Sequence, residues 1–187
     1  EYTSAMHSLG AAEVFCGDMR NNDDLVRACR GVHSIYYICP NMNEMEVEIT
    51  RLVLQAAAAS GVERFVYHSV LHPQTEAMPH HWNKLRSEEL IFQSGLNFTI
   101  LQPTAYMQNI QAYWQQITLQ GVYSLPYAPE SRLSLVDLSD VAQVAAKTLL
   151  EPSHTGAIYE LVGTPPLSQH QVAESLTRVL GKPVKAE

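Results

Sequence analysis

Apolar positions along the chain follow two periods, one typical of strands and one typical of helices. Short apolar runs predict strands at residues 13–16, 33–39, 65–67, 98–101, 122–125, 133–136 and 158–162. Apolar residues at helical spacing predict helices at 2–9, 22–29, 43–60, 84–92, 105–119, 141–149 and 168–180. Because strands alternate with helices, the pattern predicts parallel βαβ units and an α/β fold with a doubly wound parallel sheet.

Several local signals sharpen these boundaries. The run at 33–39 is almost unbroken and stops at Pro40, which is typical of a strand buried on both faces. Asn21 or Asn22 is suited to cap the helix that follows, and Ser168 with Gln171 forms a capping box for the last helix. We find no internal repeat, so the sequence predicts one domain over residues 1–187.

Composition and charge narrow the classes of function. The chain has 187 residues, 46% hydrophobic and 17% charged, which is ordinary for one globular domain. Its net charge of -7 and the absence of a Lys/Arg run argue against a nucleic-acid surface. No apolar stretch is long enough to cross a membrane, and the N-terminus does not resemble a secretory signal. We therefore expect a cytoplasmic protein with neither nucleic-acid nor membrane partners.

The three cysteines carry little functional signal. Cys16, Cys29 and Cys39 are odd in number, widely spaced and each surrounded by apolar residues. This arrangement predicts reduced core thiols, with neither a disulfide framework nor a CxxC metal site.

The stretch at residues 64–90 holds the most chemistry. A buried strand is followed by His68 and Ser69, and parallel sheets bind ligands at the carboxyl ends of their strands. A loop rich in histidine then leads to Lys84 near the start of a helix. The histidines lack carboxylate or thiolate partners at a metal-site spacing such as HExxH, so we predict no metal.

Several segments together resemble the NmrA-like branch of the atypical short-chain dehydrogenase/reductases. In chain order these segments are FCGDM, GVHSIYYICP, AAAASGVERFVYHSV, HHWNKLRSEELIFQSGLNFTILQPTAYMQN, VDLSDVAQVAAKTLLEP and YELVG. Their order and spacing cover nearly the whole chain. The resemblance implies a Rossmann-like domain that binds NADP or NAD, with NADPH slightly favoured.

Three departures from the family pattern matter. The sequence has no G-x-x-G-x-x-G turn and enters the pattern after the second strand, so we expect the N-terminal β-α-β unit of the domain to be missing. The small C-terminal region that covers the substrate in such proteins is expected to be incomplete. Residues 104–135 and 152–187 would contribute to that substrate-side region. In addition, the residue four before Lys84 is His80, where many short-chain dehydrogenases have tyrosine.

The resemblance assigns roles to particular residues. Lys84 would hold the nicotinamide ribose and Ser69 a substrate carbonyl or ribose hydroxyl, while His80 could deliver a proton. Simpler alternatives stay open: Lys84 paired with Glu88 on the helix surface, Ser69 bonded to its own loop, and a surface His80. The expected cofactor-binding residues are Asp18, Met19, Cys39, Pro40, Ser69, Lys84, Gln102, Pro103 and Thr104. The expected substrate-side residues are Tyr106, Met107, Asn109 and Trp82.

Two functions follow from the resemblance. One is an NAD(P)H-dependent oxidoreductase that reduces a small carbonyl, quinone or enone. The alternative is a non-catalytic redox sensor that binds the dinucleotide and acts through a regulatory protein partner. The sequence leaves a homodimer open in both cases.

Overall fold

The computed structural model describes residues 2–187, so Glu1 of the predicted domain lies outside the described residues. Its helices are α1 (Tyr2–Ser8), α2 (Asn22–Cys29), α3 (Glu46–Ala59), α4 (Pro79–Gln93), α5 (Trp114–Gln120), α6 (Leu138–Leu150) and α7 (Gln169–Leu180). Its strands are β1 (Ser34–Tyr37), β2 (Arg64–His68), β3 (Phe98–Pro103), β4 (Ala105–Tyr106), β5 (Val122–Tyr123), β6 (Arg132–Leu133), β7 (Leu135–Val136), β8 (Ala157–Leu161), β9 (Leu167–Ser168) and β10 (Lys185–Ala186). Two 3-10 helices occupy Met107–Tyr113 and Pro152–His154.

A four-stranded parallel sheet in the order β1-β2-β3-β8 forms the centre of the fold. Ile35 pairs with Phe65, and Tyr67 pairs with Ile100, so the three consecutive strands run in the same direction with their carboxyl ends together. A helix connects each successive pair, which confirms the predicted α/β fold with a parallel sheet of βαβ units.

Helices cover both faces of this sheet. Phe65 and Tyr67 belong to a buried cluster that includes Ile49 and Val53 of α3, and α4 lies beside α3 on that face. Val66 points the opposite way, because successive residues of a strand alternate, and packs with Ala145 of α6. The two faces are called the α3/α4 face and the α6 face below.

A second, smaller core lies outside the central sheet. Ile117 of α5, Tyr123 of β5 and Val172 of α7 pack together there, and β5 pairs with β10. The predicted capping box is present: Ser168 accepts from the Gln171 backbone N–H, and the Gln171 side chain accepts from the Ser168 N–H. None of the helices in residues 2–187 has the length and apolar character needed to cross a lipid bilayer.

Some predicted elements were wrong. Residues 13–16 form no strand, since within residues 2–187 no neighbouring strand pairs with them and they are largely exposed. The strand predicted at 33–39 shortens to β1, and the run is not buried throughout: Ser34 to Tyr36 are half-buried, and Ile38, just beyond β1, is 51% exposed. The helix predicted at 105–119 is divided into β4, a 3-10 helix and α5. Among the cysteines, Cys16 is exposed and is therefore not a core thiol.

Candidate functional site

The carboxyl ends of β2 and β3 bring buried polar groups to one edge of the sheet. His68 ends β2 and is followed by Ser69, and Gln102 lies at the end of β3. All three are buried, although polar side chains are usually exposed. On the α3/α4 face, helix α3 contributes Glu46 and helix α4 contributes Lys84 and Glu88 to this edge of the sheet.

Lys84 forms a buried ion pair across that face. Its Nζ lies 2.6 Å from Oε1 of Glu46 and donates a 3.1 Å hydrogen bond to the His68 carbonyl oxygen. The Tyr67 hydroxyl donates to the same Glu46 oxygen at 2.8 Å. The Glu46 side chain is 2% exposed and that of Lys84 15%. The alternative in which Lys84 pairs with Glu88 is thus wrong, because the partner comes from α3.

Glu88 instead belongs to a second buried group. It accepts a hydrogen bond from the Ser69 hydroxyl, and Nε2 of Gln102 donates to its two carboxylate oxygens at 2.9 and 3.2 Å. Burial raises the pKa of Glu88, and the hydrogen bonds from Ser69 and Gln102 oppose that rise. Ser69 therefore bonds to α4, not to its own loop.

His68 points to the other face, where two tyrosines hold its ring. The Tyr36 hydroxyl is hydrogen-bonded to Nδ1, and the Tyr106 hydroxyl lies 2.5 Å from Nε2. Burial lowers the pKa of His68 to about 4, and the Lys84 charge adds to this effect. Burial raises the pKa of Tyr36 to about 12 and that of Tyr106 above its ordinary value. At neutral pH the imidazole is therefore uncharged and both phenols are protonated.

The residues expected along the rest of the dinucleotide are Asp18 at the adenine and Cys39 and Pro40 at the ribose and pyrophosphate. Asp18 is exposed and pairs with Arg20, whose terminal nitrogen lies 2.7 Å from Oδ2. Hydrogen bonds from Arg20 lower the pKa of Asp18 to about 2. Met19 packs against the main core. Cys39 is buried, which raises the pKa of its thiol, and the adjacent Pro40 is exposed.

His80 lies in the first turn of α4, not in the preceding loop. Its ring contacts that of His81 with 4.6 Å between centroids, and burial together with the His81 charge lowers the pKa of His80. Trp82, in the same turn, is half-buried.

The segment at and after the end of β3 contains the expected cofactor-binding residues Pro103 and Thr104, followed by three of the expected substrate-side residues. Pro103 is buried, and the Thr104 hydroxyl donates to the Ser134 carbonyl oxygen at 2.7 Å. Tyr106 ends β4, and Asn109 is exposed in the 3-10 helix. Met107 lines a shallow groove of about 360 Å³ between that 3-10 helix and α7.

Four members of the site were not predicted from the sequence: Tyr36, Glu46 and Tyr67, together with Glu88, which was considered only as a surface partner of Lys84. Tyr36 was interpreted only as part of the apolar run at 33–39, and Glu46 only as a favourable charge near a helix N-terminus. Tyr67 looked like a strand residue without a polar role. Alternation places Val66 and His68 on one face of β2, but only the register of β1 against β2 brings Tyr36 to that face. In the part of the chain that the structure describes, no group of three His, Cys, Asp or Glu side chains could hold a metal ion.

Comparison with known proteins gives consistent matches. The model described as "NmrA-like family" matches residues 2–187. The NAD(P)H azoreductase of Xenophilus azovorans is 29% identical over 171 residues, which cover 90% of this chain and 59% of that protein. The crystal structure of the NADPH-dependent quinone oxidoreductase of Escherichia coli complexed with NADPH superposes with a TM-score of 0.86 and 27% identity, covering 98% of this chain and 64% of that one.

The triphenylmethane reductase of Citrobacter sp., solved as a complex with NADP(H), has the same fold, with a TM-score of 0.87 at 24% identity over 99% of this chain and 65% of that chain. The chain spans between 56% and 61% of the length of three curated relatives that it matches.

Proposed function

The chain belongs to the NmrA-like family, and on that premise we propose that the protein is an NAD(P)H-dependent oxidoreductase that reduces a small carbonyl, quinone or enone. The observation that carries the proposal is the half-buried Lys84 ammonium, which pairs with the buried Glu46 and donates to the His68 carbonyl oxygen at the carboxyl end of β2. Nucleotides bind at such strand ends in parallel sheets. The printed names of the azoreductase and quinone oxidoreductase relatives support this class of reaction.

The donor set of Lys84 fits the nicotinamide ribose. An ammonium has three N–H donors, and Glu46 and the His68 carbonyl oxygen engage two of them. The third is available for a ribose hydroxyl, and Glu46 prevents the ammonium from swinging away. When bound, the dinucleotide supplies a hydride to the substrate. NADPH is the favoured form, which the quinone oxidoreductase complex supports.

The remaining assignments extend from this point. Ser69 and Gln102 are both hydrogen-bonded to Glu88, which fixes their side chains at the carboxyl edge of the sheet. His80 stays a candidate proton donor. The proposed cofactor-binding residues are Asp18, Met19, Cys39, Pro40, Ser69, Lys84, Gln102, Pro103 and Thr104, and the proposed substrate-side residues are Tyr106, Met107, Asn109 and Trp82.

Location and assembly are part of the proposal as well. A cytoplasmic protein is supported by Cys29 and Cys39, which are buried and free, as is usual in reducing compartments. A homodimer is proposed and is checked by light scattering of the purified protein.

The direct test is titration of the intact protein with NADPH and NADH, followed by nicotinamide fluorescence. Quinones, enones and azo dyes are then added to the saturated complex. Oxidation of the bound nucleotide establishes the reductase and ranks its substrates. Binding without oxidation supports the alternative redox sensor acting through a protein partner, and no binding of either nucleotide refutes both.

A double variant tests the role of Lys84 without leaving a buried charge unpaired. Glu46→Gln combined with Lys84→Met removes both charges together. We expect it to weaken NADPH binding about tenfold, because one hydrogen bond from a charged donor contributes roughly 1.5 kcal/mol. The matched control is Lys147→Met, which removes an exposed lysine of α6 and should leave affinity unchanged. Unchanged affinity in the double variant would remove Lys84 from the cofactor site.

A further inference from the structure

Tyr36, His68 and Tyr106 form one continuous hydrogen-bonded chain. The Tyr36 hydroxyl bonds to Nδ1 of His68, and the Tyr106 hydroxyl lies 2.5 Å from Nε2. Tyr36 and His68 lie on β1 and β2, which are neighbours in the central sheet, whereas Tyr106 lies on β4, which pairs with β7 in a separate two-stranded sheet. Both tyrosines are half-buried, whereas His68 between them is only 8% exposed.

The uncharged ring imposes a direction on this chain. A neutral imidazole has one N–H and one lone pair, so it donates to one phenol and accepts from the other. If Nε2 carries the hydrogen, Tyr36 donates to Nδ1, and the O–H of Tyr106 is free to point away from the ring. If Nδ1 carries it, Tyr36 has the free O–H. Only one phenol can therefore offer a proton outward at a time.

We propose that Tyr106 is the proton donor of the reaction and that Tyr36 restores its proton through His68. This inference rests on the proposed reductase function, in which hydride addition to a quinone or carbonyl leaves a negative oxygen. Tyr106 ends β4, three residues beyond the last residue of β3, and belongs to the proposed substrate-side residues. Tyr36 is half-buried on β1 at the other end of the hydrogen-bonded chain, and in this proposal it is the group that exchanges its proton with water.

The step balances without any charged imidazole. The reduced dinucleotide supplies the hydride, and the Tyr106 O–H bond breaks as its proton moves to the substrate oxygen. The Nε2–H proton of His68 moves to the Tyr106 oxygen, and the Tyr36 proton moves to Nδ1. Water reprotonates Tyr36. Between turnovers, exchange with water through the two phenols returns the ring to its starting tautomer.

The depressed basicity of His68 suits this role. Its pKa of about 4 keeps the ring neutral, with one nitrogen free to accept while the other donates. The raised pKa values of both phenols keep them protonated at neutral pH. This assignment takes the place of His80, the candidate donor named above, whose ring contacts that of His81 in the first turn of α4.

The test compares Tyr106→Phe and Tyr36→Phe with a matched control. Tyr159→Phe also removes a phenol bonded to a histidine ring, since the hydroxyl of Tyr159, on β8, lies 2.8 Å from Nδ1 of His154 in the second 3-10 helix. We expect Tyr106→Phe to lower kcat on the order of 10²-fold, the usual size of a general-acid contribution, with NADPH affinity unchanged. Tyr36→Phe should lower kcat less, and Tyr159→Phe should not change it.

Nitrogen-15 NMR of the His68 ring gives a second readout that does not depend on turnover. We expect the Nε2–H tautomer in the wild type and in Tyr36→Phe. In Tyr106→Phe the ring should switch to Nδ1–H, because only Tyr36 remains to accept. A wild-type ring with Nδ1–H overturns the proposed direction.

The two proposals fail in different ways. If the wild type turns over a quinone and Tyr106→Phe retains full kcat, Tyr106 is not the donor, although the reductase function stands. If the wild type binds NADPH but none of the quinones, enones or azo dyes oxidises it, the reductase function and the donor role both fail.

Discussion

Acidification should destabilise the protein through His68. Its pKa is about 4 in the folded state against an ordinary value of 6.5, so between these values the unfolded chain binds more protons. Stability therefore rises with pH in this window: the contribution is fully present above 6.5 and is lost as pH falls towards 4. The difference between these two pKa values lowers the free energy of unfolding by about 3 kcal/mol below pH 4 and by about 2 kcal/mol at pH 5.

The measurement is urea unfolding at pH 7, 6 and 5, followed by tryptophan fluorescence. We expect the wild type to lose about 2 kcal/mol more than His68→Gln between pH 7 and pH 5. The raised pKa of Glu88 acts in the opposite sense, but it is present in both proteins and cancels in the difference. The exposed His170→Gln is the control and should follow the wild type. Equal losses in the wild type and His68→Gln would refute the assignment of a buried neutral imidazole.

Two further outcomes test the buried groups. Lys84→Ala alone should lower the free energy of unfolding by about 3 kcal/mol, because it leaves the Glu46 carboxylate buried and unpaired. Adding Glu46→Gln should restore most of that loss, as measured by urea unfolding. A double variant as unstable as Lys84→Ala would contradict the ion-pair explanation. Cys16 should react rapidly with an aromatic disulfide reagent in the native protein, while Cys29 and Cys39 react only on unfolding, because burial shields them and raises their thiol pKa values.

The sequence was sufficient to predict the sheet and its helices, because hydrophobic periodicity is local. The apolar strand at 65–67 and the capping box at Ser168 are each visible within a few residues. The predicted strand at 13–16 failed because a strand depends on a neighbour, which periodicity does not supply. The helix at 105–119 failed because its apolar spacing also suits a 3-10 turn followed by α5.

The candidate site was predictable in location but not in connectivity. Strand ends and the resemblance indicated Ser69 and Lys84, and both lie at the expected edge. Their partners come from side-chain contacts between distant segments, such as Glu46 with Lys84. A carboxylate near a helix N-terminus looks the same in sequence whether it is exposed or buried. Tyr36 and His68 are 32 residues apart, and only the strand register brings them together.

Strand β2 separates two kinds of chemistry by alternation alone. Tyr67 and Ser69 point to the carboxylates of α3 and α4, while His68, between them, points to the two phenols. Inserting or deleting one residue in β2 would reverse every side chain beyond it and place an imidazole against Glu46 and a serine among the tyrosines. Homologous proteins can therefore vary β2 by substitution, but a change in its length would have to come in pairs of residues.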